Sequence, residues 1–221
     1  MIKGVIFDVD GVLLDSMPVW EHLGERYLER LGIRPEEGLA QAIGTMSMEE
    51  AADYLIRRYR LSMKPDEVVR EVVHLIREAY QVQIPPKPGV DRLLKGFSSR
   101  KIPMVIATSG DRENASLALE RLGFLPFFQG IFTCTEIGKS KRWPDIYLAA
   151  ARRLKMPPEE ILVFEDSLGG LQTAKKAGFH TAAVYDAAAE GQQVRLREEA
   201  DIYLKDFQDH EKIFVTVNPE G

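Results

Sequence analysis

Asp8 and Asp10 stand two apart at the end of a short apolar run, Val5-Ile6-Phe7. Residues i and i+2 of an extended segment face the same way, so the two carboxylates repel each other. Without a cation or a substrate between them the arrangement raises a pKa and costs stability. Asp-Val-Asp-Gly is also turn chemistry, since Asp and Gly supply turn geometry, and alone it does not separate the two readings. Three further apolar runs end in related clusters: Ala107-Thr108-Ser109-Gly110, then residues 138–145 with Lys139 and Lys141, then Glu165-Asp166-Ser167. Phosphoryl transfer needs an in-line nucleophile, a divalent cation and donors to the nonbridging oxygens. The set supplies a carboxylate able to form an aspartyl-phosphate and oxygens suited to hard Mg²⁺. Backbone N–H groups after Thr108 and at the next helix start can face an oxyanion.

These loops have to be brought together by strands. Residues 3–8, 103–107, 130–133, 161–165 and 180–185 are short runs rich in Val, Ile, Phe and Ala, bounded by turn or charged residues. Fully buried strands have that pattern. Helical patterns follow at 113–122, closed by Gly123, and at 168–177, closed by Gly178, with glycine at the expected C′ position. The alternation predicts an α/β protein: a Rossmann-like parallel sheet with helices on both faces. In such a sheet the strand carboxyl ends share one edge, where ligands bind.

Residues 16–85 break the rhythm. They carry helical periodicity and no convincing strand: Val19, Leu23, Tyr27 and Leu31 fall on one face, and Val69, Val72, Val73, Ile76 and Tyr80 on another. Ser47-Met48-Glu49-Glu50 is a capping-box pattern, and Ile84-Pro85-Pro86-Lys87-Pro88-Gly89 reads as a stiff connector. A small α-helical domain of residues 16–85 is therefore predicted as an insertion into a core domain of residues 1–15 and 86–221, with hinges near 15–18 and 84–88.

The chain has 221 residues, 45% of them hydrophobic, with 29 Lys and Arg against 34 Asp and Glu, a normal globular composition. No basic stripe tracks a nucleic-acid backbone, so no nucleic acid is expected as a partner. Cys134 is the only cysteine; it can form no intrachain disulfide and is expected as a small buried hydrophobe. No run reaches membrane-spanning length, which predicts no membrane partner and a cytoplasmic location; a monomer is expected. His22, His74, His180 and His210 lack metal-ligand spacing and are expected to be solvated.

Four motifs, in this order and at these intervals, carry a resemblance over nearly the whole chain: Phe7-Asp8-Val9-Asp10-Gly11-Val12-Leu13-Leu14-Asp15-Ser16; Ile106-Ala107-Thr108-Ser109-Gly110; Lys141 with Pro144-Asp145-Ile146-Tyr147-Leu148; and Phe164-Glu165-Asp166-Ser167-Leu168-Gly169-Gly170. Together they resemble the haloacid dehalogenase superfamily of aspartate-nucleophile phosphatases and phosphomutases, and within it the β-phosphoglucomutase-like branch with a helical cap. The resemblance implies that Asp8 attacks phosphorus and binds Mg²⁺. It implies that Asp10 protonates the leaving oxygen and later deprotonates the hydrolytic water, with its backbone carbonyl on the metal. Thr108, with Ser109 and Gly110, would hold phosphoryl oxygens, and Lys141 would neutralise charge around nucleophile and phosphate. Asp166 would be a metal ligand and Glu165 a second acidic ligand, direct or through water.

Lys141 is chosen over Lys139 because it precedes Asp145 by the family interval Lys-x-x-Pro-Asp. Arg142-Trp143 departs from the pattern of relatives, and Trp143 is expected as a packed loop residue rather than a pocket wall. Asp15 and Ser16 are balanced between capping the first inserted helix and meeting substrate, and Ser109 and Ser167 between turn or cap and site. Asp145 is read as favouring a helix N-terminus.

Asp10 and the Glu165-Asp166 pair argue against halide displacement, and the inserted segment lacks a buried lysine for phosphonate chemistry, Lys64 lying in a polar turn. A sugar phosphomutase would carry a basic residue in the loop Gly44-Thr45-Met46-Ser47-Met48 and a histidine at Trp20. The reading is thus a Mg²⁺-dependent phosphatase for a small phosphorylated metabolite, with the loop at 45–48 helping to select it. A mutase is the alternative, and a phosphoacceptor or binding module a third. A dinucleotide fold is disfavoured because Gly-x-Gly-x-x-Gly is missing after the first strand.

Overall fold

The computed structural model describes residues 1–44, 46–208 and 213–214; Thr45 and His210, named above, lie outside them. Strand β1 (Gly4–Phe7) is followed by α1 (Met17–Glu21), α2 (Leu23–Arg30), α3 (Leu39–Ile43), α4 (Met48–Tyr59) and α5 (Pro65–Val82). Then come α6 (Val90–Ser99), β2 (Met104–Thr108), α7 (Arg112–Arg121), β3 (Phe128–Thr133), α8 (Cys134–Ile137) and α9 (Asp145–Leu154). The last elements are β4 (Ile161–Glu165), α10 (Leu168–Lys176), β5 (His180–Val184), α11 (Gln193–Glu199) and β6 (Ile202–Leu204).

The chain divides into two compact units, Met17–Ile84 and the remainder. Ser16 and Pro85 go with the sheet, where sequence reading assigned them to the helical segment. Hydrogen bonds explain this: the Asp15 N–H donates to the Pro85 carbonyl at 2.9 Å, and the Ser16 hydroxyl to Asp10 Oδ1 at 2.6 Å.

Among the described residues six strands run parallel in the order β3-β2-β1-β4-β5-β6, a doubly wound α/β sheet. The chain winds from β1 through β2 to β3, then crosses back to β4 on the other side of β1. Ligand crevices form where winding reverses, here between the carboxyl ends of β1 and β4. Sequence reading missed β6, three half-buried residues at the sheet edge, too short to show a pattern.

β1, β2 and β4 are buried along their whole length because both faces are covered. On one face Phe7 stacks on Phe164 at 4.6 Å between centroids, and both rings meet Phe97 of α6 edge-on. On the other, Ile6, Val105 and Val163 pack with Ile146, Tyr147 and Ala150 of α9.

The helical unit centres on Tyr27, Leu28, Leu39, Ala52, Leu55 and Val68, and Ser47 and Glu50 form a reciprocal capping box. Two sequence-based faces need correction. The stripe from Val19 to Leu31 is interrupted at non-helical His22 (φ −107°, ψ 22°), and Leu31, beyond the end of α2, is exposed while Leu28 is buried. In α5, Val73 is exposed and Val68 buried; five residues apart, they lie about 140° round the helix from each other. No described helix is long and apolar enough to cross a membrane.

Candidate active site

The turn after β1 fixes the first two acids. The Leu13 and Leu14 N–H groups both donate to the Val9 carbonyl, and Gly11 takes φ +75°. Asp8, which is buried, accepts the Val9 N–H on Oδ1 at 2.7 Å and pairs with Lys141 Nζ through Oδ2 at 2.6 Å. Asp10 is half-buried and accepts the Ser16 hydroxyl.

β2 lies beside β1, so its end comes close. Thr108 is buried, and its Oγ1 accepts the Gly110 N–H at 3.0 Å. A Cβ at Gly110 would stand 2.9 Å from Asp10 Oδ2 and 3.3 Å from Thr108 Oγ1, so Asp10, Thr108 and the Gly110 backbone share one corner. The Ser109 side chain does not join them; it is exposed, with Oγ 3.5 Å from Cys134 Sγ. Cys134 is half-buried at the start of α8, not enclosed as expected.

The loop after β4, on the other flank of β1, and the segment between α8 and α9 complete the cluster. Lys141 is buried, and its ammonium bridges Asp8 and Glu165 Oε1, each at 2.6 Å. Glu165 also accepts the Tyr147 hydroxyl on Oε1 at 2.8 Å and the Ser167 hydroxyl on Oε2 at 2.9 Å. Ser167 is both cap and site neighbour, since its Oγ also accepts the Gly170 N–H at the start of α10. Lys139 is spent elsewhere, on Asp145 at 2.8 Å, and Asp145 takes that cation besides opening α9. Trp143 is 59% exposed, neither packed nor buried in a pocket. The turn closed by its N–H on the Ser140 carbonyl leads straight into α9, where Ile146 and Tyr147 fill the core instead.

Asp166 is buried, yet no hydrogen bond reaches its carboxylate among the described residues. It abuts the β1 turn so closely that a Cβ at Gly11 would overlap it. Oxygen atoms of Asp8, Glu165 and Asp166 all lie within 4.8 Å of one another. Burial raises the Asp8 carboxyl to about 7, Lys141 working against that and the Glu165 charge adding to it. Burial, then the charges of Asp8 and Glu165, hold Asp166 well above the usual carboxylate range. Burial alone would lower Lys141, but Asp8 and Glu165 more than offset it, and its ammonium is held charged.

Ionising all three carboxylates beside one ammonium would leave two negative charges in a poorly solvated place, which is why burial holds Asp8 and Asp166 up. An all-oxygen donor set and an unengaged Asp166 fit a hard divalent cation.

Two features were not anticipated. Tyr147 stands in the sequence only as part of the third motif, and nothing in its spacing announces a carboxylate partner. Asp186, buried just after β5, pairs with Lys87 at 2.6 Å and adds to the potential that raises Asp166. Its place at the carboxyl end of a strand was a usable signal.

A family model described as haloacid dehalogenase-like hydrolase matches residues 2–178. Hexitol phosphatase A of Escherichia coli strain K12 is 31% identical over 221 residues, covering 99% of this chain and 96% of that protein. The phosphorylated carbohydrates phosphatase of Thermotoga maritima is 29% identical over 177 residues, 80% of this chain and 82% of that one. A crystal structure from Thermotoga maritima, described as a candidate beta-phosphoglucomutase, superposes with a TM-score of 0.85 at 27% identity, covering 96% of this chain and 98% of its own.

Proposed function

The chain belongs to the haloacid dehalogenase-like hydrolases, and we propose that within them it is a Mg²⁺-dependent phosphatase acting on a small phosphorylated sugar or sugar alcohol. The observation that carries this reading is the position of Asp8: a buried carboxylate with one oxygen on Lys141 and unpartnered Asp166 at its side. A nucleophile needs charge neutralised around it, and a phosphoryl group needs it more.

In this reading Asp8 attacks phosphorus in line, and the ester oxygen leaves as the aspartyl-phosphate forms. Asp10 hands that oxygen a proton, then takes one from the water that cleaves the acyl phosphate. Ser16 holds the Asp10 carboxylate by its Oδ1. Thr108 and the Gly110 backbone, in the same corner as Asp10, serve the nonbridging oxygens, and Lys141 offsets their charge beside Asp8. Asp8, Asp166 and the Asp10 carbonyl would hold Mg²⁺, with Glu165 adjoining. Bound there, the cation supplies electrostatic stabilisation of the transferring phosphoryl group.

Hydrolysis is favoured over mutase chemistry by the sequence of the helical segment: a mutase has to hold a second phosphate, and the loop Gly44-Thr45-Met46-Ser47-Met48 carries no Lys or Arg, with Trp20 where a mutase would carry histidine.

The test is a phosphate-release screen over sugar and polyol phosphates with Mg²⁺, repeated in chelator and with Asp8→Asn. Release from the parent that vanishes in both controls is expected. Turnover surviving in the Asn variant would remove Asp8 as nucleophile, and isomerisation of a sugar phosphate without release would make the chain a mutase.

A further inference from the structure

We propose that Tyr147 is a positioning residue: its hydroxyl holds Glu165, and through Glu165 it sets where the Lys141 ammonium stands against Asp8. The proposal rests on the phosphatase reading above. Tyr147 is completely buried on α9, on a face it shares with Ile146 and Ala150, against Ile6 and Val163. A phenylalanine would fill that volume. A hydroxyl placed there costs desolvation unless a partner meets it, and its partner is the carboxylate that grips the cation of the site, at 2.8 Å.

Geometry gives the hydroxyl its task. Glu165 Oε1 takes both Tyr147 and Lys141, while Ser167 takes Oε2, so the carboxylate is fixed at three points. Lys141 sits between Glu165 and Asp8 at 2.6 Å from each. Any swing of Glu165 therefore drags the ammonium relative to the nucleophile. A neutral donor on Oε1 also shares the charge that Lys141 would otherwise meet alone. In a medium of low dielectric that sharing is strong, and it keeps the ammonium between the two acids rather than collapsed on Glu165. Tyr147 itself touches neither Asp8 nor, in this reading, the substrate.

The experiment uses the full chain and the variants Tyr147→Phe, Glu165→Gln and the double substitution. Losing a hydrogen bond to a charged group is expected to lower kcat about tenfold, with KM within about twofold. If Tyr147 acts through Glu165, its substitution adds no further loss in the Glu165→Gln background, the signature of coupled residues. An activity-independent readout accompanies this. The ¹⁵N resonance of the Lys141 ammonium, assigned by its loss in Lys141→Arg, is expected to shift in Tyr147→Phe.

An unchanged kcat in Tyr147→Phe, an equal loss in both backgrounds, or an unmoved ammonium resonance would each overturn the proposal. A parent chain that releases no phosphate from any ester overturns the phosphatase reading instead. In that case the ammonium resonance alone decides whether Tyr147 sets the position of Lys141.

Discussion

Gly11→Ala probes whether the loops after β1 and β4 truly converge. Gly11 carries φ +75°, and a built Cβ overlaps the Asp166 carboxylate. An L-residue held in the left-handed region costs about 1–2 kcal/mol, and forcing a neighbour aside adds about 1–3 kcal/mol. The sum, about 2–5 kcal/mol, leaves a domain of ordinary stability folded at 25 °C while lowering its urea midpoint by about 1–2 M. The displaced Asp166 should weaken Mg²⁺ binding about 10- to 100-fold, the range seen when a ligand loses its orientation. Gly123→Ala is the internal control, with nearly the same φ (+72°) but nothing within 4 Å of its Cβ. It should cost only the conformational part and leave Mg²⁺ dependence alone. Phosphate release against Mg²⁺ concentration, with urea denaturation in chelator, separates the two variants. A Gly11→Ala enzyme whose half-saturating Mg²⁺ matches that of the control would refute the placement of Asp166 against the β1 turn.

Two other perturbations test the charge balance. Lys141→Met strips the ammonium from Asp8 and Glu165 and leaves buried acids uncompensated, so in chelator it should lose about 3–5 kcal/mol, the usual result of breaking a buried pair from one side; an unchanged urea midpoint would contradict the ion-pair geometry. The metal-free chain should also lose stability as pH rises. Asp8 moves from an ordinary 3.8 up to about 7 in the fold, so the folded state holds its proton more tightly. That contribution is whole below about pH 4 and is lost as pH climbs through about 7. Mg²⁺ binding, which wants the deprotonated carboxylate, should restore it at higher pH. Thermal melting in chelator from about pH 5 to 8 is the measurement, and a slope unaltered in Asp8→Asn would remove Asp8 as its source.

The parallel sheet was legible because four of its strands are continuous apolar runs ending in charge or turn residues, and such runs have few alternatives. β3 was caught in part, its first residues being half-exposed and interrupted by Gly130. β6 carried no signal: an edge strand of three residues buries too little to show a pattern. Convergence of the acids was legible for a topological reason, since strand carboxyl ends of a parallel sheet share an edge whatever the strand order. Side-chain roles were harder. Trp143 looked like a packing residue by type, but burial depends on where a turn aims the side chain, which spacing does not encode. Lys141 and Lys139 differ by one i+2 step and face similar sequence neighbours. What singled out Lys141 in the sequence was its interval to Pro144-Asp145; the structure adds the reason, with Lys141 buried between two acids and Lys139 spent on Asp145.

Why the charges sit where they do follows from the packing beneath them. Phe7, Phe97 and Phe164 are fully buried and mutually packed under the edge that bears Asp8 and Glu165, so backbone positions at the ends of β1 and β4 have little freedom to relax. A rigid, apolar floor makes crowded carboxylates costly, because neither water nor rearrangement relieves them. The same floor makes the site useful: acids that cannot move apart hold a cation and an ammonium at fixed positions, which is the preorganisation that electrostatic catalysis requires. Instability in the metal-free site and competence in the loaded one are then a single property of β1 and β4. A substitution that softens the floor, such as Phe164→Leu, should ease the first while eroding the second.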